Sequence, residues 1–199
     1  QGRVLRMPPP KGKSREILFV YGHHSSLERW WGVVQDMNQY GAVTMPDLPG
    51  FGGMDSFYKI GEEPTLDNMA DYLASFIKLF YKRRRVTIAG LSFGFVVVTR
   101  MLQRYPELAK KGDLLVSVVG FAHRDDFVFS KRRYYMYLTT AKFGESKYGS
   151  KIFRLMFLNK FVLRSVYAKT RNAKQKFEDQ SGEIFEETML NEIRLWQIN

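Results

Sequence analysis

The sequence has no cysteine. Disulfides and thiolate metal sites are therefore excluded, and a reducing compartment is the expected setting, which places the chain in the cytoplasm. Histidine is nearly as scarce. Only His23, His24 and His123 occur, so no imidazole follows residue 123. No metal and no cofactor is expected. No run approaches the ~18 uninterrupted apolar residues of a membrane-spanning helix. The first residues lack the apolar stretch of a signal peptide, because residues 7–13 (MPPPKGK) are proline-rich and basic. Acid is also in deficit, with 20 Asp and Glu against 31 Lys and Arg, a formal net charge of +11. Such a balance draws a chain toward nucleic acid, anionic membrane or acidic substrate, and it says nothing about fold.

What is present is a globular composition, with 45% apolar residues in 199. That is enough for one sizeable core and short for two full domains. Val4 and Leu5, followed by Pro8-Pro9-Pro10 and Gly12, read as an edge strand and a turn. Residues 17–21 (ILFVY) form a continuous apolar run, the pattern of a strand buried on both faces. The spacing of Leu27, Trp30, Trp31 and Val34 predicts a helix over residues 27–39. A second strand over residues 42–45 runs into the Pro- and Gly-rich loop 46–53. Thr65 can cap a helix whose apolar face carries Leu66, Met69, Leu73, Phe76, Ile77 and Phe80. A strand over residues 86–89, a helix over 95–109 and a strand over 114–119 follow. Strict alternation of strand and helix predicts an α/β fold, a mostly parallel sheet with helices on both faces. This core occupies residues 1–126. Residues 127–199 are expected to form a separate helical unit, basic and aromatic.

Chemistry concentrates at Gly90-Leu91-Ser92-Phe93-Gly94, a G-x-S-x-G sequence between an apolar strand and an apolar helix. A serine on so sharp a strand-to-helix turn is strained, and glycines two residues either side remove Cβ atoms that would clash. The hydroxyl of Ser92 is thereby pushed clear of the sheet as a candidate nucleophile. The N-terminus of the helix behind it favours developing negative charge, and the backbone N–H of Phe93 can face an oxyanion.

Two further segments stand in order before this one. Tyr21-Gly22-His23-His24-Ser25-Ser26-Leu27-Glu28-Arg29-Trp30 resembles the H-G loop of the α/β-hydrolase superfamily, which ends in a tryptophan at similar spacing. Asp47-Leu48-Pro49-Gly50-Phe51-Gly52 is similar to that family's D-x-P-G-x-G turn. With the serine elbow, the resemblance spans residues 4–126 and implies a serine hydrolase of the esterase type with a helical cap. It implies that the backbone N–H of His23 is the second oxyanion donor, beside that of Phe93. Serine rather than aspartate at the elbow disfavours dehalogenase and epoxide hydrolase chemistry. Tyr21 stands where the family usually has His, Met54 where a small residue often follows, and Phe95 crowds the start of the helix.

The serine needs a base. In the resembled family the order is Ser, acid, His. Asp125 or Asp126 is the candidate acid, and His123 is a weaker candidate base than a surface residue. His23 and His24 belong to the oxyanion loop, so no base is identified in the chain. A chain that stops inside the cap, before the strands bearing acid and His, is the simplest expected account of this, and Gln1 and the lack of the family's opening strand point the same way at the other end. The other account is a protein that has lost catalysis and keeps the shell as a binding module for a lipid, membrane or protein partner. The expected substrate is a small acyl compound. From 131 to 176 there are 13 Lys or Arg against one acid, Glu145, interleaved with Phe, Tyr, Leu and Met. That segment can contact anionic membrane or lipid. Nucleic acid is disfavoured, since no RNA-binding signature accompanies the charge.

Overall fold

The computed structural model describes residues 2–23, 25–121, 130–146, 148–149 and 151–152. Among the described residues five strands form one sheet: β1 (Val4–Met7), β2 (Glu16–Val20), β3 (Ala42–Pro46), β4 (Val86–Leu91) and β5 (Gly112–Val118). Their spatial order is β1-β3-β2-β4-β5. β1 pairs antiparallel with β3, and the other three pairings are parallel. The predicted α/β class and mostly parallel sheet are thus present.

Parallel neighbours need crossovers, and the helices supply them. They are α1 (Trp31–Asn38), α2 (Leu66–Phe80) and α3 (Phe93–Arg104), with α4 (Lys131–Glu145) beyond the sheet. The β2-to-β3 step runs one way along the sheet, and the β3-to-β4 and β4-to-β5 steps run the other. Right-handed crossovers therefore put α1 on one face and α2 with α3 on the opposite face. The core follows. β2 and β3 are buried along their whole length, and β4 is buried up to Gly90. α2 buries Met69, Ala70, Leu73, Ala74 and Ile77, the stripe its spacing predicts. Its cap is as expected, with the Thr65 hydroxyl accepting from Asn68 N–H at 3.1 Å.

Three boundaries differ from those the sequence predicts. α1 starts at Trp31, not at residue 27. Trp30 is used elsewhere: its ring meets Phe19 edge-on at 5.7 Å, and its Nε1–H donates to Ser25 Oγ at 2.9 Å. The segment 27–30 is a turn that pins the loop to β2. α3 spans Phe93–Arg104 rather than 95–109, because Pro106 cannot continue the helix, and a 3₁₀ turn covers Pro106–Lys111. β5 begins at Gly112, two residues early, and ends at Val118. As an edge strand it leaves Leu114 and Leu115 exposed, at 52% and 43%. Among the described residues, no helix is long and apolar enough to cross a membrane.

Candidate active site

A ligand crevice in an open parallel sheet lies where neighbouring strands send their following helices to opposite faces. Here that point is between β2 and β4. Two loops meet there: residues 21–30 after β2, and the elbow after β4.

Ser92 has φ 50° and ψ −120°, the strained conformation that the G-x-S-x-G spacing predicts. It holds because the neighbours leave no room for anything else. A Cβ on Gly90 would lie 2.6 Å from Phe95 Cα, and one on Gly94 would lie 2.2 Å from the Val20 carbonyl oxygen. Both glycines are compulsory for the packing of α3 on β4 and β2. Ser92 N–H donates to the Val118 carbonyl at 3.0 Å, and Phe95 N–H closes the first turn on the Ser92 carbonyl at 3.0 Å. The crowding expected from Phe95 is absorbed by glycine. Its ring lies over Gly120, where a Cβ would come within 2.6 Å.

The loop after β2 abuts the elbow directly. A Cβ on Gly22 would stand 3.0 Å from Ser92 Cβ and 3.2 Å from Phe93 N. The imidazole of His23 stacks on the Phe93 ring, with centroids 4.2 Å apart and planes 19° apart. Phe51, from the loop after β3, lies 6.2 Å from Phe93 and 6.1 Å from His23. The Ser25 hydroxyl donates to the His23 carbonyl at 3.1 Å while accepting from Trp30, which fixes the loop's path. The three candidate residues Ser92, Phe93 and His23 are thus adjacent, on the two segments that follow β2 and β4.

A buried carboxylate underlies this arrangement, the first residue of the D-x-P-G-x-G segment, whose burial and partners the sequence pattern does not reveal. Asp47 is wholly buried. It accepts from the Tyr21 hydroxyl at 2.5 Å, and Arg3 Nε lies 3.5 Å from its other oxygen. Tyr72 donates to the Asp47 carbonyl at 3.1 Å. Gly52 (φ 57°) packs so closely that a Cβ would fall 2.2 Å from an Asp47 oxygen. Burial raises the Asp47 carboxyl to about 7, against the opposing pull of the Tyr21 hydrogen bond and the Arg3 charge. Burial likewise lifts Tyr21 well above the ordinary phenol range, and the Asp47 charge adds to the lift. The residue that stands in place of the family's usual His is therefore a tie between two segments, reaching from the end of β2 to the turn after β3. The departure at position 21 is the signal for it in the sequence.

His24, His123, Asp125 and Asp126 lie outside the described residues, so the candidate acid and the weaker candidate base have no geometry here. Among the described residues no cluster of His, Asp and Glu could hold a metal ion.

No family model matches the sequence, and no curated protein sequence matches it. Solved structures do resemble it. An α/β-hydrolase enzyme from a deep-sea metagenome library of the Medee basin superposes over 99% of this chain and 68% of its own, with a TM-score of 0.65 and 14% identity. The chain has the α/β-hydrolase fold. A thermophilic esterase from Thermogutta terrifontis gives a TM-score of 0.56 at 18% identity, over 82% of this chain and 56% of that one. An N-formylmaleamic acid deformylase from Pseudomonas putida gives 0.57 at 17%, over 99% and 66%. The chain therefore spans between 56% and 68% of the length of these α/β-hydrolase structures. Within the shared fold, residues 2–121 hold the strained serine, the glycine-rich loop beside it and the turn that carries Asp47.

Proposed function

We propose that this chain carries the nucleophile half of a serine hydrolase acting on an ester or related acyl substrate. The observation that carries the reading is Ser92 at φ 50° between β4 and α3, wedged by Gly90 and Gly94. Strain of this kind costs on the order of 1–3 kcal/mol and persists where function requires it. The Ser92 hydroxyl oxygen attacks the acyl carbon, and the carbonyl oxygen gains the negative charge. The N–H groups of Phe93 and His23 receive that charge, each contributing about 3 kcal/mol to the transition state. Collapse expels the alcohol and leaves an ester on Ser92, which water then cleaves. The proton of Ser92 passes to a base and on to the leaving group. His123 and a histidine beyond residue 199 are the two sources for that base, with Asp125 or Asp126 as the orienting acid. The helical unit expected over residues 127–199 lies mostly outside the described residues.

A fluorophosphonate probe tests the reading on this chain and on the full-length gene product, each beside Ser92→Ala. Labelling at Ser92 in both puts the base within residues 1–199. Labelling only in the longer product puts it outside. No labelling of either folded protein overturns the hydrolase reading and leaves the shell as a binding module.

A further inference from the structure

The opposite edge of the sheet has a different character. Residues 11–15 lead into β2, 82–85 into β4 and 110–111 into β5, and these three strands are adjacent in the sheet. Their N-terminal ends therefore gather the basic runs KGKSR, KRRR and KK on one rim. β4 puts this rim ~20 Å from the serine, since it is six residues long and each residue rises ~3.3 Å.

The carboxylates on the rim are already engaged. Glu16 accepts from Arg6 at 3.0 and 3.1 Å and from Arg84 at 2.5 Å. Asp113 pairs with Arg85 at 3.3 Å, and Glu107 with Lys78 at 3.2 Å. Lys111 donates to the carbonyls of Tyr81 and Lys82, both at 2.9 Å, which binds the start of β5 to the end of α2. Lys11, Lys13, Arg15, Lys82, Arg83 and Lys110 are exposed and form no ion pair among the described residues. Between them lies a groove of about 420 Å³ lined by Ser14, Arg15, Glu16, Arg84, Arg85 and Asp113. Its floor carries both signs, so the surplus positive charge sits on the rim rather than in the groove.

Exposed apolar side chains share the rim. Leu79 is 70% exposed at the end of α2, next to Phe80 at 39%. Tyr40, 61% exposed, adjoins Gly41, whose backbone abuts the Arg15 carbonyl. Phosphate backbones of nucleic acid make no use of a leucine, whereas a bilayer surface takes cations and apolar side chains together.

We propose that this rim docks on an anionic lipid bilayer, with the serine crevice facing away from the membrane. The surface is distinct from residues 131–176, and docking there leaves the crevice open to substrate from water.

Sedimentation with phosphatidylcholine vesicles, with and without 30% phosphatidylserine, tests this at 50 and 200 mM salt. The variant Lys13→Gln/Arg15→Gln/Lys82→Gln/Arg83→Gln changes only exposed side chains without ion pairs. Circular dichroism and the thermal midpoint check that it folds. The expected result is binding to the phosphatidylserine vesicles alone, weakened by salt and lowered about a hundredfold in the variant. Lys131→Gln/Arg132→Gln/Arg133→Gln on α4 should leave binding unchanged. Leu79→Ser should lower it several-fold. Equal binding by the fourfold variant, or no binding by the native chain, overturns the proposal. So does tighter binding to a 20-base-pair duplex than to vesicles at equal phosphate, lost in the same fourfold variant.

Discussion

Two buried carboxylates sit at opposite ends of the same sheet, and their surroundings drive them in opposite directions. Asp47, at the end where the serine stands, meets a phenol at 2.5 Å and a single guanidinium at 3.5 Å. Burial prevails, and its carboxyl rises to about 7. Glu16, at the start of β2, meets the fork of Arg6 and the tip of Arg84. Burial pushes it up as well, but the hydrogen bonds of the two arginines prevail and hold it below the ordinary range. A neutral donor compensates a buried carboxylate less than a cation does. The end where Ser92 stands holds its acid with a phenol and one guanidinium, and the other end is built as an ion-pair clamp.

The comparison can be broken most severely at the glycines that hold the serine end together. Gly94→Ala puts a Cβ 2.2 Å from a carbonyl oxygen. It should cost about 3 kcal/mol or more, read as a lowered urea midpoint or failure to fold. At the other end, Glu16→Gln leaves Arg6 and Arg84 without their counter-charge and should cost about 2 kcal/mol in the same measurement.

Asp47→Asn sharpens the contrast through pH. A carboxyl raised on folding adds stability that is full below the unfolded carboxylate range and is lost as pH rises through about 7. The variant should therefore lose stability relative to the native chain near pH 4 and draw level with or surpass it near pH 8. Glu16, lowered on folding, contributes stability above its unfolded value and loses it as pH falls through its folded value. The deficit of Glu16→Gln should therefore be largest at neutral pH and shrink in acid. Urea midpoints measured from pH 3 to 9 give both slopes, and parallel slopes would refute the distinction. The smallest effect is expected for Arg84→Gln, about 0.5 kcal/mol. Its side chain is 61% exposed and Arg6 still serves Glu16.

How much of this is legible in the sequence depends on the range of the interaction. The elbow is readable because its glycines act on their immediate neighbours, and the turn must have that spacing to exist. The Thr65 cap and the α2 stripe are readable for the same reason. Trp30 misleads because its helical spacing to Val34 is real, while its partners Phe19 and Ser25 lie across a loop. The start of α3 falls two residues earlier than its pattern suggests because a strained serine and the first helical residue can be successive. Tyr21 and Asp47 are 26 positions apart. Only the parallel pairing of β2 with β3 makes them neighbours, so the motif is visible and its electrostatics are not. The gathering of three basic runs on one rim likewise requires the sheet order. Glu16 looks like the boundary of an apolar strand, and nothing local announces that residues 6 and 84 converge on it.

The strand order carries one more consequence, for assembly in time. β2 ends up at the centre; β3 adds on one side of it and β4 on the other. β1 can join only once β3 exists, and β5 only once β4 does. No strand ever has to be threaded between two that are already paired. A chain emerging from the ribosome at ~5–20 residues per second can extend this sheet at its rims alone. Gly22 and Asp47 precede α3 in the chain, and the elbow at Ser92 is completed only when β5 brings the Val118 carbonyl to the Ser92 N–H.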